Sequence, residues 1–367
     1  MTKILVLANN DVGLYKFRKE LLHELMRLNH IVYISLPNGV FVEKLIEIGC
    51  KYIETPIDRR GTNPIRDLKL LKKYYEIIKK IKPDVILTYT IKPNIYGGIA
   101  SRITKTPYLV NITGLGTAIE SAGLLQKVLL KLYKTSLKNA DCIFFQNKEN
   151  KDLFSKKDIV NNNSRMLPGS GVNINEFEYQ DYPIDDKTIE FLYIGRIMKD
   201  KGVNELFDAA AIIKENYSNV HFNLIGDFEE DYKDKVQNLE KRGIVKYHGM
   251  QKDVRPFITK SHAIILPSYH EGTSNVLLEA ASTGRPIIAS NVAGCRETFN
   301  EGISGFGFKV KDPHDLVKVL LRFIKLPYEN KKAMGIAGRK KMIKDYSRFI
   351  VIDAYIEEIN KVLHDKD

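Results

Sequence analysis

The chain has 367 residues, enough for two domains with separate cores, and its 44% hydrophobic content is that of a globular protein. No apolar run approaches the roughly 20 residues that cross a bilayer, and three scattered cysteines (Cys50, Cys142, Cys295) argue against a disulfide framework or a zinc site. The net charge of +12 is uneven: residues 1–180 hold 28 Lys and Arg against 17 Asp and Glu, whereas residues 181–367 hold 29 against 28. That asymmetry predicts a membrane surface or another polyanion as partner of the first half. The start, Met-Thr-Lys-Ile-Leu-Val-Leu, is not built as a signal peptide and reads as a strand, so a cytoplasmic location is expected.

Short β-branched runs alternate with helical patterns along almost the whole length, the mark of parallel α/β sheets. The first strand, Ile4–Ala8, runs into Asn9-Asn-Asp-Val-Gly13-Leu-Tyr-Lys16-Phe-Arg18. Gly13 would let a helix N-terminus approach a phosphate, with Arg18 one turn on. The stretch is not a GxGxxG fingerprint and no GxxxxGK[ST] loop occurs, which argues against a nicotinamide cofactor and an NTPase. Strands Ile31–Ser35 and Tyr52–Thr55 follow, then the helix-like Arg66–Lys82, where Lys69, Lys72, Lys73, Lys79 and Lys80 alternate with Leu70, Leu71, Tyr74, Tyr75, Ile77 and Ile78. A second such stretch, Leu124–Lys138, carries Lys127 and Lys131. Basic amphipathic helices can lie on anionic lipid, or be solvated helices packed by one face on a sheet. Strand Val85–Thr88 ends in Thr88-Tyr-Thr90-Ile-Lys92-Pro-Asn94, and strand Tyr108–Asn111 ends in Thr113-Gly114-Leu-Gly116-Thr117. Lys92 offers a cation there, and Gly114 and Gly116 suggest close backbone approach. Cys142–Gln146 is the sixth strand.

Pro168–Phe177 and the strand-free Glu178–Lys187 read as a linker. The rhythm restarts with Glu190–Ile194, His221–Ile225, Val245–His248, Ala263–Leu266 and Pro286–Ser290. Two doubly wound domains with a cleft between them are expected, 1–177 and 178–345. An amphipathic helix, Phe349–Leu363, lies in 346–367 and is a candidate to pack back on the first domain. Ligands in such sheets bind at the carboxyl ends of strands. The turn after Glu190–Ile194 is Gly195-Arg196-Ile-Met-Lys199-Asp-Lys201-Gly202, whose Arg196 and Lys201 can clamp a diphosphate. The acidic Asp227–Asp231 reads as a solvated loop, and no HExxH, CxxC or GxSxG pattern is present. Most histidines sit in or beside strands and read as structural, His270 excepted, since it precedes Glu271.

The most informative segment is Glu271-Gly-Thr-Ser-Asn-Val-Leu-Leu-Glu279, straight after Ala263–Leu266. Glu271 would sit in the turn, Gly272 would admit close approach, and Thr273 or Ser274 would cap the helix that follows. Glu279 would follow about two turns on. Two carboxylates beside an anion-binding helix end suit a ligand with many hydroxyls and a phosphate, as in a sugar nucleotide.

Together these stretches resemble the retaining glycosyltransferases of family 4 (group 1), whose GT-B fold sets two Rossmann-like doubly wound domains face to face across a cleft. The resemblance implies that Glu271, first of a Glu-x7-Glu motif, contacts the donor sugar's hydroxyls and Glu279 the ribose. It implies that Arg196 and Lys201 bind the diphosphate, and that His248–Val254, with Met250, brackets the base. Asn173 stands where the family usually has Asp. The stretches Tyr15–Arg18, Ile91–Asn94 and Thr113–Gly116 resemble enzymes that extend polyprenyl-diphosphate-linked glycans for capsules, O-antigens or protein glycans. Acceptor contacts are then expected from Arg18, Lys92, Asn94, Thr113 and Gly114, donor contacts also from Gly13, Gly272, Thr273, Ser274 and Asn275, and membrane contacts from Lys69, Lys72, Lys73, Lys127 and Lys131. Many members carry a histidine after the fourth strand; here the region reads Thr88-Tyr-Thr90, leaving Lys92 or the Thr113–Thr117 loop as candidates.

The expected activity is metal-independent transfer of a hexose or N-acetylhexosamine from a UDP-sugar, a co-substrate, to a lipid-diphosphate-linked sugar at the inner membrane face. No further cofactor and no nucleic acid are expected. A UDP-sugar 2-epimerase of the same architecture and a non-catalytic basic membrane-binding protein are the alternatives.

Overall fold

The computed structural model describes residues 1–58, 61, 63–113, 123–160 and 163–364; Gly114 and the rest of its loop to Thr117 lie outside them. The chain forms two compact units, Met1–Ser170 with the C-terminal segment from Phe349, and Gly171–Arg348. The boundary therefore falls before Gly171 and not after Phe177. The reason is packing: Ile174 and Phe177 join the second core, and the Phe177 carbonyl accepts from Ser282 Oγ and Arg339.

The first sheet comprises β1 (Lys3–Leu7), β2 (Ile31–Leu36), β3 (Lys51–Glu54), β4 (Val85–Tyr89), β5 (Tyr108–Ile112), β6 (Cys142–Phe145) and β7 (Ser164–Met166), in the order β3-β2-β1-β4-β5-β6-β7. The second comprises β8 (Ile189–Ile194), β9 (Val220–Ile225), β10 (Lys246–Tyr247), β11 (Ala263–Leu266), β12 (Ile287–Ser290) and β13 (Gly305–Phe308), ordered β10-β9-β8-β11-β12-β13. Neighbouring strands pair in parallel; β4 and β5 are buried along their whole length, as strands covered by helices on both faces must be. Strand order reverses between β1 and β4, and again between β8 and β11. Those two reversals are where open α/β sheets bind ligands.

Strands β7 and β13 escape the sequence pattern. Ser-Arg-Met and Gly-Phe-Gly-Phe lack β-branched residues, and each pairs with a single neighbour at a sheet edge. Strand β10 shortens to two residues for the same reason of position.

From Phe349 on, the helix Arg348–His364 belongs to the first unit. Its Val351, Ile352, Tyr355, Ile359 and Val362 share a core with Val6, Leu87, Leu109 and Phe144. The other core of that unit takes the buried stripes of Pro64–Ile81 (Leu70, Tyr74, Ile77, Ile78, Ile81) and Leu124–Leu137 (Tyr133, Leu137). These basic helices therefore pack by one face, leaving Lys69, Lys72, Lys73, Lys127 and Lys131 exposed beside exposed Ile65, Leu68, Leu125 and Val128. Among the described residues no helix is long and apolar enough to cross a membrane.

The second unit locks the segment that enters it with Arg285, which is wholly buried. Its guanidinium donates to the carbonyls of Gln180, Asp181, Ile258 and Thr259 and sits over the Tyr182 ring. Burial lowers its pKa to about 10, so it stays charged at neutral pH. His262, on the same wall, is buried with Nδ1 accepting the Glu190 N–H at 3.1 Å, and burial lowers its pKa. The unfolded chain titrates this ring near the ordinary value of about 6.5, so on acidification it takes up a proton before the native state does. Stability is thus full above that pH and falls as pH drops toward the depressed folded value. Thermal melts from about pH 7.5 to about pH 5 should show a shallower decline for His262→Gln than for the parent. Identical slopes would discard the assignment.

Candidate active site

Two strand-to-helix turns meet at the reversal of the second sheet. The first leaves β8 at Gly195 and closes as a 3-10 turn, Lys199–Lys201, before Gly202 starts the helix Val203–Asn216. Gly202 is left-handed (φ 70), and a Cβ there would stand 2.0 Å from the Pro267 carbonyl oxygen. Only glycine permits that contact. The second turn leaves β11 at Pro267 and ends at Ser274, which caps the helix Asn275–Ser282 through a long 3.4 Å bond from Leu277 N–H. Tyr269 stitches them: its N–H donates to Asp200 O at 2.9 Å and its hydroxyl to Glu205 Oε1 at 2.8 Å.

This close approach brings Lys201 Nζ to 2.6 Å from Glu271 Oε1, with the two side chains 19% and 16% exposed. The pair joins the cation of one predicted cluster to the carboxylate of the other. Gly272 and Thr273 are partly buried in the same turn; Asn275 opens the helix, its Oδ1 a buried acceptor without a partner among the described residues. Such an atom is commonly satisfied by ligand or water. Glu279, also partly buried, lies in the second turn of that helix.

Arg196 is half exposed, and its Nη1 lies 3.6 Å from Glu229 Oε2. The acidic Asp227–Asp231 stretch is exposed and also engages the basic turn. Ile197 N–H donates to Asp227 O, Lys199 N–H donates to Glu230 Oε2, and Gly226 allows the two turns to touch. Spacing along the chain could not show that role, because the partners sit in the turns that follow two successive strands. The next turn adjoins: Gly226 N–H donates to Gly249 O, and Met250 is 74% exposed beside it. His248 Nε2 is hydrogen-bonded to Asn223 Oδ1 at 2.8 Å, and burial lowers its pKa. Among the described residues no group of three or more His, Cys, Asp and Glu could hold a metal ion.

At the reversal of the first sheet the predicted residues have other surroundings. Gly13 N–H donates to Asn10 Oδ1 at 2.6 Å, so the helix Asp11–Arg27 caps itself there. Arg18 is buried at 4% exposure, its guanidinium over the rings of Tyr89 and Tyr355. Lys92 forms a 2.6 Å pair with Asp67, which also accepts from Tyr96 OH. Asn94 is buried, accepting from Thr88 Oγ1 and donating to Asn111 O, and so ties β4 to β5. Thr113, at the end of β5, is partly buried.

Sequence reasoning missed the loop Val292–Glu297 behind the Glu271 turn, where Gly294 O accepts the Ser274 N–H at 2.9 Å. Ala-Gly-Cys-Arg-Glu after a strand looks like any turn, and only the fold shows what it touches.

Two parallel doubly wound units, with a cation–carboxylate pair at the strand-order reversal of the second, define the two-domain α/β architecture of GT-B glycosyltransferases. The family described as "Glycosyl transferases group 1" matches residues 174–341, and "Glycosyl transferase 4-like" matches residues 3–147. The chain belongs to the group 1 glycosyltransferases. It is similar to N,N'-diacetylbacillosaminyl-diphospho-undecaprenol alpha-1,3-N-acetylgalactosaminyltransferase of Campylobacter jejuni, at 26% identity over 97% of this chain and 98% of that one. It is also similar to UDP-Gal:alpha-D-GlcNAc-diphosphoundecaprenol alpha-1,3-galactosyltransferase of Escherichia coli, at 29% identity over 72% of each. Among solved structures, Anabaena HepE in complex with UDP-glucose superposes with a TM-score of 0.79 at 17% identity, covering both chains fully.

Proposed function

We propose that this glycosyltransferase moves a hexose or N-acetylhexosamine from a UDP-sugar to a polyprenyl-diphosphate-linked sugar, with retention of configuration and without a metal. The observation that carries the reading is the Lys201–Glu271 pair at the reversal of the second sheet. The names of the Campylobacter and Escherichia relatives support the lipid-linked acceptor, and the UDP-glucose complex of the Anabaena neighbour supports the donor class.

In this reading the donor's diphosphate draws Lys201 away from Glu271 and also meets Arg196, so both cations face the charge that develops as UDP departs. The freed Glu271 carboxylate accepts from the donor sugar's hydroxyls and turns binding energy into alignment. The bond between the sugar's anomeric carbon and UDP breaks, and the acceptor oxygen bonds to that carbon on the same face. A donor phosphate oxygen takes the acceptor's proton. The first unit takes the acceptor, and its exposed lysines and apolar side chains on Pro64–Ile81 and Leu124–Leu137 meet an anionic cytoplasmic membrane surface.

The test is UDP release from a panel of UDP-sugars, with and without a short polyprenyl-diphosphate-linked sugar, repeated in EDTA. Release with one donor that depends on the lipid acceptor and survives EDTA is expected. Conversion of a donor to its epimer without UDP release would replace the transferase by the epimerase. Silence across the panel would overturn the choice of UDP and direct the search to GDP-sugars.

A further inference from the structure

The turn that carries Glu271 has a backing that the reaction described above does not use. After β12 the chain folds through Val292–Glu297 beneath it. Gly294 accepts the Ser274 N–H at 2.9 Å, and its own N–H donates to Glu297 Oε2 at 2.7 Å. The Gly294 backbone (φ 78) lies so close that a Cβ would stand 2.5 Å from Gly272 O and 2.7 Å from Glu271 O. Cys295, next in the chain, is fully buried, and burial followed by the nearby Glu271 charge raises its pKa. The loop is tied from behind as well. Tyr346 OH donates to Glu297 O at 2.7 Å. The Tyr346 carbonyl accepts from Val172 N–H, and the Val172 carbonyl accepts from Arg348 N–H. The loop is thus tied to the two places where the chain enters and leaves the second unit.

We propose that Glu297 is a positioning residue for the donor site, fixing the Glu271 turn through Gly294, with Tyr346 holding Glu297 in place. The inference rests on the reading of Glu271 and Lys201 as the donor site. The turn's own cap is the long Ser274 bond, so the Ser274–Gly294 hydrogen bond and the Gly294 contact set its height over the sheet. A displacement of an ångström there would take Glu271 out of line with Lys201, and catalytic groups tolerate little of that. Glu297 acts by accepting a backbone N–H, a contact that the neutral carbonyl oxygen of Gln can also make, if more weakly.

The test compares Glu297→Ala, Glu297→Gln and Tyr346→Phe with Lys201→Ala in the full chain, reading UDP affinity by calorimetry, the KM of each substrate and the melting temperature. Glu297→Ala should weaken UDP binding and raise the donor KM by about tenfold, the loss of one to two well-placed hydrogen bonds, with the acceptor KM unchanged. Glu297→Gln should lie within about twofold of the parent, and Tyr346→Phe between the two. If Glu297→Gln is as impaired as Glu297→Ala, the charge itself acts and positioning is wrong. If Glu297→Ala raises the KM of both substrates as the melting temperature falls, the residue only holds the fold. Loss of UDP binding in Lys201→Ala but not in Glu297→Ala would sink this inference alone. Unaltered binding in Lys201→Ala would sink the donor reading and this inference with it.

Discussion

Lys201→Ala should lower kcat/KM for the donor by at least about a hundredfold, roughly 2.7 kcal/mol of lost transition-state stabilisation. The protein should still fold. Lys201 and Glu271 are each partly exposed, so removing one leaves a carboxylate that water can reach. In the proposed donor site the larger effect should come as UDP departs, because the diphosphate would then lose the less exposed of its two cations, while half-exposed Arg196 remains. Lys201→Arg should rescue poorly: a planar fork does not fit where a point charge sits 2.6 Å from one carboxylate oxygen. Glu271→Gln should act mainly through donor alignment, and the double variant should fall short of the product of the singles, since the residues touch. Initial rates with thermal melts decide it; parental kcat/KM in Lys201→Ala would remove the site from the second unit's reversal.

Much of the architecture was legible because the longer strands are runs rich in aliphatic and aromatic residues bounded by turn residues. Ala263–Leu266 was readable to the residue. What failed were elements whose identity comes from neighbours: β13, made of Gly and Phe, and β7, three residues long. The candidate site shows the same division. Arg196, Lys201 and Glu271 could be named from local turns, yet the Lys201–Glu271 pairing spans 70 residues and needed the sheet order to be seen. In the first unit local reading was weakest. Lys92 looked like an available cation, but Asp67 from a different helix meets it; Asn94 was expected to contact the acceptor, and its side chain bonds Thr88 and Asn111 between β4 and β5. Charge and polarity are visible along a chain, whereas the partner that neutralises or buries them is not.

The second large effect is expected from Gly202→Ala, which adds one methyl and no charge. Gly202 sits at φ 70, where an L side chain costs roughly 1–2 kcal/mol. The new Cβ would also lie 2.0 Å from the Pro267 oxygen, against rigid backbone, so the two turns must part. Overpacking of this kind costs a further 1–3 kcal/mol or so. Parting the turns also strains the Tyr269–Asp200 bond and draws Lys201 away from Glu271, so activity should fall nearly as far as in Lys201→Ala. Gly243→Ala separates the two costs. Gly243 has nearly the same φ, 68, yet nothing lies within 4 Å of its Cβ position, so it should show the backbone cost alone and keep full activity. Melting curves and donor kcat/KM for both variants provide the comparison. If Gly202→Ala melts with Gly243→Ala and turns over like the parent, the close approach of the two turns is not what assembles the site.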